Sequence, residues 1–532
     1  MSVTADAGAS PAAIHDPDAV SMKTWMAVVG SALGAFLAIL NIQVVASSLA
    51  DIQGAIGAGV DDGGWITTSY LVAEIIVIPL SAWLARAFSL RAYMLTNTFL
   101  FLALSVACAF ATNLNQMIVV RFLQGCAGGV LIPLAFNIIM TRLPPSKHPT
   151  GLAIYSVSAI FAPSIGPVIG GYFNDTFGWQ SIFLVNLLPG AVMMAMLWFS
   201  IEKAPPQLDA LRKADWAGVV TMAVGLASLE TVLEEGNKDD WLGSAFITRL
   251  AVTAVVALVA FIVIELVRKE PLLHLRLLKR RNFGLATVAN FFFGVSMYGW
   301  VYLVPLYLAR SQGYNAQQIG GVLIWIGLPQ LAIIPFMPKL MKRMDPRLLV
   351  IVGYILFIVG SLLAMNLSGD FSGPQFIGSS LTRAVAQSMV MTPLSVLAVS
   401  GIEREYAGSA SALFNMLRNL GGAVGIAVLQ TFLTKREQFH SNVLTGQVSL
   451  LGQATRHRLD QLAAYFMGHG VSDGAYARHE AAVAVGRVIR RQASVMAYGD
   501  TIILQSALLG LALLAVLFLK KPAPGGSAGE AH

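Results

Sequence analysis

Residues 151–172 read GLAIYSVSAIFAPSIGPVIGGY, an apolar run of membrane length that carries four glycines and two prolines. Pro163 and Pro167 each lack an N–H and press on the carbonyl one turn back, so a helix through them is predicted to bend. Small residues recur at every fourth position, with Ala162, Gly166 and Gly170 on one row and Ala159, Pro163, Pro167 and Gly171 on another. In lipid, such rows let a neighbouring helix approach closely. An ordinary packed transmembrane helix would account for any one of these glycines; the whole string asks for more.

The rest of the chain is of the same kind. Its 532 residues are 56% hydrophobic and 12% charged, with a mean hydropathy of +0.69, far outside the range of soluble domains. It reads as a polytopic membrane protein. The first twenty residues hold Asp6, Asp16 and Asp18 but no Lys or Arg, so the basic region of a signal peptide is missing and a short cytoplasmic tail is expected. A net charge of +7 does not point to nucleic acid, because the basic residues lie in loops on one side.

Fourteen apolar runs approach the roughly twenty residues that span a bilayer. They cover residues 24–49, 65–87, 92–112, 115–140, 151–173, 180–200, 215–235, 245–267, 283–309, 316–338, 347–367, 374–400, 407–433 and 500–519. Alternate loops carry Arg86 and Arg91; Arg142 and Lys147; Lys203, Arg212 and Lys213; Arg268, Lys269, Arg276, Lys279, Arg280 and Arg281; Lys339, Lys342, Arg343 and Arg347; and Arg404. The opposite short loops hold Asp51, Asp61, Asp62, Asp175, Asp239, Asp240 and Asp370, with only Lys238 and Arg310 as cations. The excess of cations on cytoplasmic loops predicts that both termini are cytoplasmic. Residues 434–499 carry eight Lys and Arg yet fall outside in this topology, as loops beyond about sixty residues escape the rule. Within that loop, residues 475–497 look helical, either as a solvated cap or as a docking surface for an extracytoplasmic partner.

Cys108 and Cys126 fall inside spans and read as buried small hydrophobes rather than a disulfide. No histidine pair has metal-ligand spacing, and no G-x-x-x-x-G-K-[ST] loop suggests ATP as the energy source. No cofactor is expected.

The chain also repeats itself. Span 4 holds Arg121, Gln124, Gly125, Pro133 and Leu134; span 12 holds Arg383, Gln387, Ser388, Pro393 and Leu394. The glycines of span 5 are answered in span 13 by Gly421, Gly422 and Gly425, after Asn415 and Arg418. Pro79 and Pro335 precede basic loops after spans 2 and 10. An offset of eight spans means two six-helix bundles separated by an inserted pair, spans 7 and 8.

These features resemble the fourteen-helix drug:proton antiporters of the major facilitator superfamily. The string ending Gly166-Pro167-Val168-Ile169-Gly170-Gly171 resembles the family's antiporter motif on its fifth helix. Arg121-x-x-Gln124-Gly125 is similar to its helix 4 motif; Trp179, Phe183, Asn186, Pro189 and Gly190 are similar to the start of its sixth helix. Asp215, Trp216 and Gly218, with Asp240 and Trp241, are similar to the bracket around its seventh. The chain looks most like EmrB/QacA-type multidrug efflux transporters. That resemblance implies an all-α major facilitator fold, with residues 1–23 a tail, 24–200 the first bundle, 201–282 the inserted helices with linkers, 283–519 the second bundle including the outer loop 434–499, and 520–532 a tail. It further implies a bacterial inner-membrane exporter that works with a periplasmic adaptor (a membrane fusion protein) and a TolC-type outer-membrane channel.

The chain departs from the family in two places. The family's helix 1 carries an acid where this chain has Asn41, and the loop after span 2 lacks its acidic hinge residue at Ala85. Arg86 and Arg91, the inner-gate cations, are then expected to pair with another acid. Glu74, in LVAEIIVIPL at the middle of span 2, lies where an ionised carboxylate is expensive and where acids are functional by default. Against the alternatives of a structural salt bridge or a protonated packing residue, it is read as the proton carrier, with Arg121, roughly 10 Å deep at about 1.5 Å per residue, setting its charge state. Glu230 is expected near the outer rim of span 7. Arg383 and Arg418 are expected to fix the second bundle by bonding helix carbonyls. The aromatics of span 9, Phe291, Phe292, Phe293, Tyr298, Trp300, Tyr302 and Tyr307, are expected mostly at lipid or interface positions.

The expectation is thus a proton-driven exporter of hydrophobic or amphipathic drugs that works by alternating access and is not an enzyme. Its rivals are an exporter dedicated to one metabolite or toxin, a membrane sensor or scaffold without transport, and an intramembrane enzyme. The enzyme would want clustered acids or histidines within the spans, and the sequence offers none.

Overall fold

The computed structural model describes residues 20–59, 62–209, 215–268, 271–449 and 452–521. Asp61, Arg212, Lys213, Lys269 and most of both tails lie outside the described residues.

Long helices dominate. In chain order they are α1 (Met22–Ser47), α2 (Trp65–Ala87), α3 (Leu90–Ala109), α4 (Leu114–Arg142), α5 (Pro145–Phe177), α6 (Ser181–Ser200), α7 (Trp216–Glu235), α8 (Ala245–Val267), α9 (Arg281–Gln312), α10 (Gln317–Arg343), α11 (Pro346–Leu362), α12 (Phe376–Val399), α13 (Ala407–Gln447) and α14 (Gly474–Leu517). All except α11 and α12 are, among the described residues, long and apolar enough to cross a membrane. α11 is apolar but has 17 residues. α12 dilutes its hydropathy with Ser379, Ser380, Arg383, Gln387, Ser388, Thr392 and Ser395, every one of them buried. Its polar face is spent on other helices, so it reads as an inner helix rather than a lipid-facing one.

The string 151–172 does two jobs. Its helix contains a π-helical turn at Val157–Phe161, just before Pro163, where the backbone ladder is interrupted. One row packs on α1: a Cβ at Gly166 would lie 2.4 Å from the Gln43 Cβ, and one at Gly170 would lie 2.2 Å from the Ser47 Oγ. Only glycine permits that approach. The other side of α5 meets α10, where a Cβ on Gly320 would come within 2.8 Å of the Val168 Cα. α5 therefore touches both its own bundle and the other.

The second half repeats the packing with α9 and α13. A Cβ on Gly421 would be 2.1 Å from the Phe291 carbonyl oxygen, and one on Gly294 would be 2.2 Å from that of Arg418. α13 itself contains no proline. α7 is started by Asp215, whose carboxylate accepts from the Gly218 N–H at 2.9 Å and from Arg268 at 2.9 Å. α7 packs on α8, on α2 and on α13, so it touches both bundles. α8 turns Val252, Val255, Val256, Val259 and Val263 outward, as a lipid-facing helix does.

The region 434–499 is more regular than expected. α13 has 41 residues and α14 has 44, so each runs on the order of 60 Å, twice the ~30 Å hydrocarbon core. Both continue as helix beyond the spans read at 407–433 and 500–519. The helix Gln453–Gly468 folds back on α14 through Leu459, Leu462, Ala463, Phe466, Ala477 and Ala481. At the base, the Asp500 carboxylate accepts from Arg436 at 2.6 Å and pairs with the His440 ring at 2.7 Å. Such a pinned hairpin is a stiff projection and not a loose loop.

Candidate functional site

Two buried charge systems stand out, one inside the first bundle and one where the bundles meet. The first is built on α4, whose first turn is capped by Asn113 accepting from the Gln116 N–H at 3.0 Å. Two turns in, Arg121 is fully buried. Its Nη1 donates to the Asn41 Oδ1 at 2.5 Å and to the Gln124 Oε1 at 2.7 Å, and its Nε donates to the Ile66 carbonyl at 3.2 Å. The Tyr70 ring lies 4.3 Å from the guanidinium carbon, a cation–π distance. Gln124 is held in turn, donating to Ser105 at 2.7 Å. Asn41, Arg121 and Gln124 thus form one network across α1, α2, α3 and α4. No acid contacts this cation among the described residues: an amide carbonyl stands in for the carboxylate.

The second system centres on Glu74, 3% exposed on α2. A Cβ on Gly129 would be 2.9 Å from the Glu74 Cα, so a glycine in α4 makes room for this part of α2. The Glu74 Oε1 accepts from the Asn419 amide of α13 at 3.0 Å, whereas its Oε2 has no partner. This bond joins the two bundles directly. Glu74 forms no ion pair among the described residues. Arg121, expected beside it, is bonded to Asn41 and Gln124, and a second buried guanidinium, Arg418, precedes Asn419 on α13 of the other half. Arg418 is itself fully buried beside Tyr155 and Tyr298 and bonds no helix carbonyl, contrary to expectation. Arg383 does: it donates to the Ser296 carbonyl at 3.2 Å and to the Ser361 hydroxyl, and stacks 3.9 Å over Trp300.

Glu74 opens onto a cavity of about 70 Å³ lined by Gln43, Leu71, Glu230, Glu234, Tyr298 and Asn419 among others. Glu230 is not a rim residue. It is 4% exposed, and its Oε2 is unpartnered. The sequence reading missed Glu234 and Asn419. The signal for Glu234 was present, since residues four apart share a helix face; Asn419 had none beyond adjacency to Arg418. The cavity admits a few waters and is far below the ~300 Å³ of a small-molecule site. Other contacts also join the bundles: Tyr155 donates to Asn415, Ser156 and Thr392 bond at 2.9 Å, and Ser411 donates to the Pro133 carbonyl at 2.8 Å.

The remaining predicted residues are dispersed. Pro163, Gly166, Pro167, Gly170 and Gly171 are buried in α5. Arg86 is exposed, and Arg91 donates to the Ile201 carbonyl at 3.0 Å and lies 4.8 Å from the Trp198 ring. Among the described residues neither meets an acid in an ion pair; Arg91 instead completes the end of α6. On α9, Phe293, Trp300 and Tyr307 are buried and Tyr298 lines the cavity, so these aromatics belong mainly to the interior. Against the basic loops, Arg280 bridges to Glu403 at 2.7 Å, and this bond holds the Glu403 carboxyl below its ordinary range.

Comparison with known proteins follows the same lines. Residues 31–426 match the family model described as Major Facilitator Superfamily. The multidrug export protein EmrB of Escherichia coli is 30% identical, over 94% of this chain and 96% of that protein. The colistin resistance protein EmrB of Acinetobacter baumannii is 29% identical over 93% and 96%, and the fatty acid resistance protein FarB of Neisseria gonorrhoeae is 28% identical over 94% and 96%. Among solved structures, the human organic anion transporter MFSD10 superposes with a TM-score of 0.55 at 15% identity, over 91% of this chain and 99% of that one.

Proposed function

Because this chain belongs to the Major Facilitator Superfamily, we propose that it is a proton-driven antiporter exporting hydrophobic or amphipathic compounds by alternating access. As a transporter of this superfamily related to EmrB and FarB, it is not an enzyme. The observation that carries the antiport reading is Glu74: a buried carboxylate on the first bundle, hydrogen-bonded to Asn419 of the second, which follows the buried Arg418 on α13. Ionised, it draws α2 and α13 together. Protonated, it loses the attraction to Arg418, and the bundles are freer to part. A charge change biases two conformations when the groups meet in only one of them, and opposed bundles that rock about a central site provide the two.

In this reading α1–α6 and α9–α14 are the two moving bundles, α11 and α12 cross the membrane with the other helices to make fourteen spans, and both termini are cytoplasmic. Asn41 and Gln124 fix Arg121 as the second cation near the carrier. Arg86 and Arg91 lie in the inner gate loop, and the bend of α5 at Pro163 and Pro167 serves the rocking. The projection on α13 and α14 is the surface for a periplasmic adaptor feeding a TolC-type channel, in keeping with an inner-membrane exporter. A dedicated exporter of one compound class is the second reading, since a relative of similar identity is named for fatty acid resistance.

The test uses purified protein in liposomes with an imposed pH gradient. Addition of hydrophobic compounds should release protons from wild type but not from Glu74→Gln. Undiminished release in the mutant would remove Glu74 from the mechanism.

A further inference from the structure

The inserted helix α7 is a spacer in the simplest account of the chain, yet it points three acids at the seam between the bundles. They are not equivalent. Glu235 is fully engaged: its Oε1 accepts from the Thr68 hydroxyl of α2 at 2.9 Å, and its Oε2 pairs with Lys238 at 2.8 Å. It pins the end of α7 to the start of α2. Glu230 and Glu234 instead line the cavity that holds Glu74. Glu230 is buried with an unpartnered Oε2, as is the Oε2 of Glu74, and Glu234 is half-buried towards the end of α7 away from the basic loops. Glu74, Glu230 and Glu234 line one and the same small cavity.

We propose that α7 forms the wall of a proton path, in which Glu234 and then Glu230 receive protons from the face opposite the basic loops and pass them to Glu74. The inference rests on Glu74 as the proton carrier. A hydronium ion gives its proton to the Glu234 carboxylate and leaves as water. The Glu234 O–H bond then breaks as the Glu230 O–H bond forms, and the same exchange carries the proton to Glu74. One proton moves inward, each donor returns to carboxylate, and nothing is oxidised or reduced. The cavity accommodates the few waters needed to bridge the carboxyls. Tyr298 of α9 and Asn419 of α13 also line the cavity; the other titratable groups on the elements packed around it are Tyr302 of α9, Arg418 of α13, Tyr70 of α2, Arg121 of α4 and, beyond α7, Lys238 paired with Glu235. Both arginines sit at the Glu74 end, so a cation stands at the terminus of the path and carboxylates stand along it.

The experiment is multiple-turnover proton release in proteoliposomes of the full chain, so that reloading of Glu74 enters the rate, with ethidium as the test compound and its binding followed separately by fluorescence. Glu230→Gln and Glu234→Gln should each slow proton release at least about tenfold, in line with loss of a positioned proton donor, while ethidium affinity stays unchanged. Glu230→Asp, which keeps a titratable group, should recover most of the rate and shows that slow release is not misfolding. Rates within twofold of wild type in both glutamine variants, with Glu74→Gln inactive, overturn the relay and leave the carrier reading standing. Normal release by Glu74→Gln overturns the carrier reading and the relay with it.

Discussion

The two six-helix halves place an arginine at matching positions, Arg121 on α4 and Arg383 on α12, and surround them differently. Arg121 rests among amides and a carbonyl, with Glu74 on the adjacent helix. Arg383 stacks on Trp300 and Phe357 and bonds Ser296 and Ser361. Between residues 281 and 435 the only acids are Asp345, Asp370, Glu403 and Glu405, all outside the long helices. The acids on the cavity where the bundles meet, Glu74, Glu230 and Glu234, thus come from the first half and α7, whereas Glu265 lies near the end of α8, Asp500 of α14 is paired with Arg436 and His440, and the second half supplies the buried Arg418. Duplication preserved a packing plan, seen again in the paired glycine contacts of α1–α5 and α9–α13, without preserving the chemistry. A shared scaffold does not imply a shared site.

The asymmetry is broken most directly at Glu74. Glu74→Gln should cut compound-triggered proton release by about a hundredfold or more, the scale of a lost proton-transfer group, measured in liposomes. Adding Asn41→Asp to that variant sharpens the comparison. It sets an acid against Arg121 in the first half, and partial return of proton release is expected; no return would mean that the position of the acid, as well as its presence, decides coupling.

Cation removal should separate the halves next. Arg383→Leu gives up its stacking on Trp300 and should cost about 2 kcal/mol of stability, read as a lower midpoint in thermal unfolding in detergent. Arg418→Leu should alter the pH dependence of release more than the midpoint, because its nitrogens lack well-formed bonds to lose. Equal midpoints and equal pH profiles in the two variants would erase the distinction.

The glycine contacts should respond alike. Gly170→Ala and Gly421→Ala place a Cβ 2.2 Å from the Ser47 Oγ and 2.1 Å from the Phe291 carbonyl oxygen. Each should cost about 1–3 kcal/mol from overpacking, with Gly421→Ala the worse because backbone yields less than a serine hydroxyl. The smallest effect is expected at Glu235→Gln, which keeps an acceptor for the Thr68 hydroxyl and weakens only the pair with the partly exposed Lys238. It should shift stability by no more than about 1 kcal/mol and leave proton release unchanged.

What the sequence determined by itself was whatever follows from local composition and period. Long apolar runs require helices in lipid, because no other open structure satisfies the backbone there. Four-residue spacing of small residues marked α5, and the Arg121 and Arg383 strings revealed the repeat. The chemistry of Glu74 was legible as an acid where acids are costly. Its partners were not, because Asn419 and Arg418 lie more than three hundred residues away and only the docking of α2 against α13 brings them near. Glu230 was placed on a rim by counting along α7. Counting gives depth along one helix but cannot say which neighbour covers it, and the packing of α7 across α2 and α13 buried that carboxylate beside Glu74. Tertiary structure likewise turned a charged loop into a pinned helical hairpin, since Asp500 reaches Arg436 and His440 only once α13 and α14 run side by side.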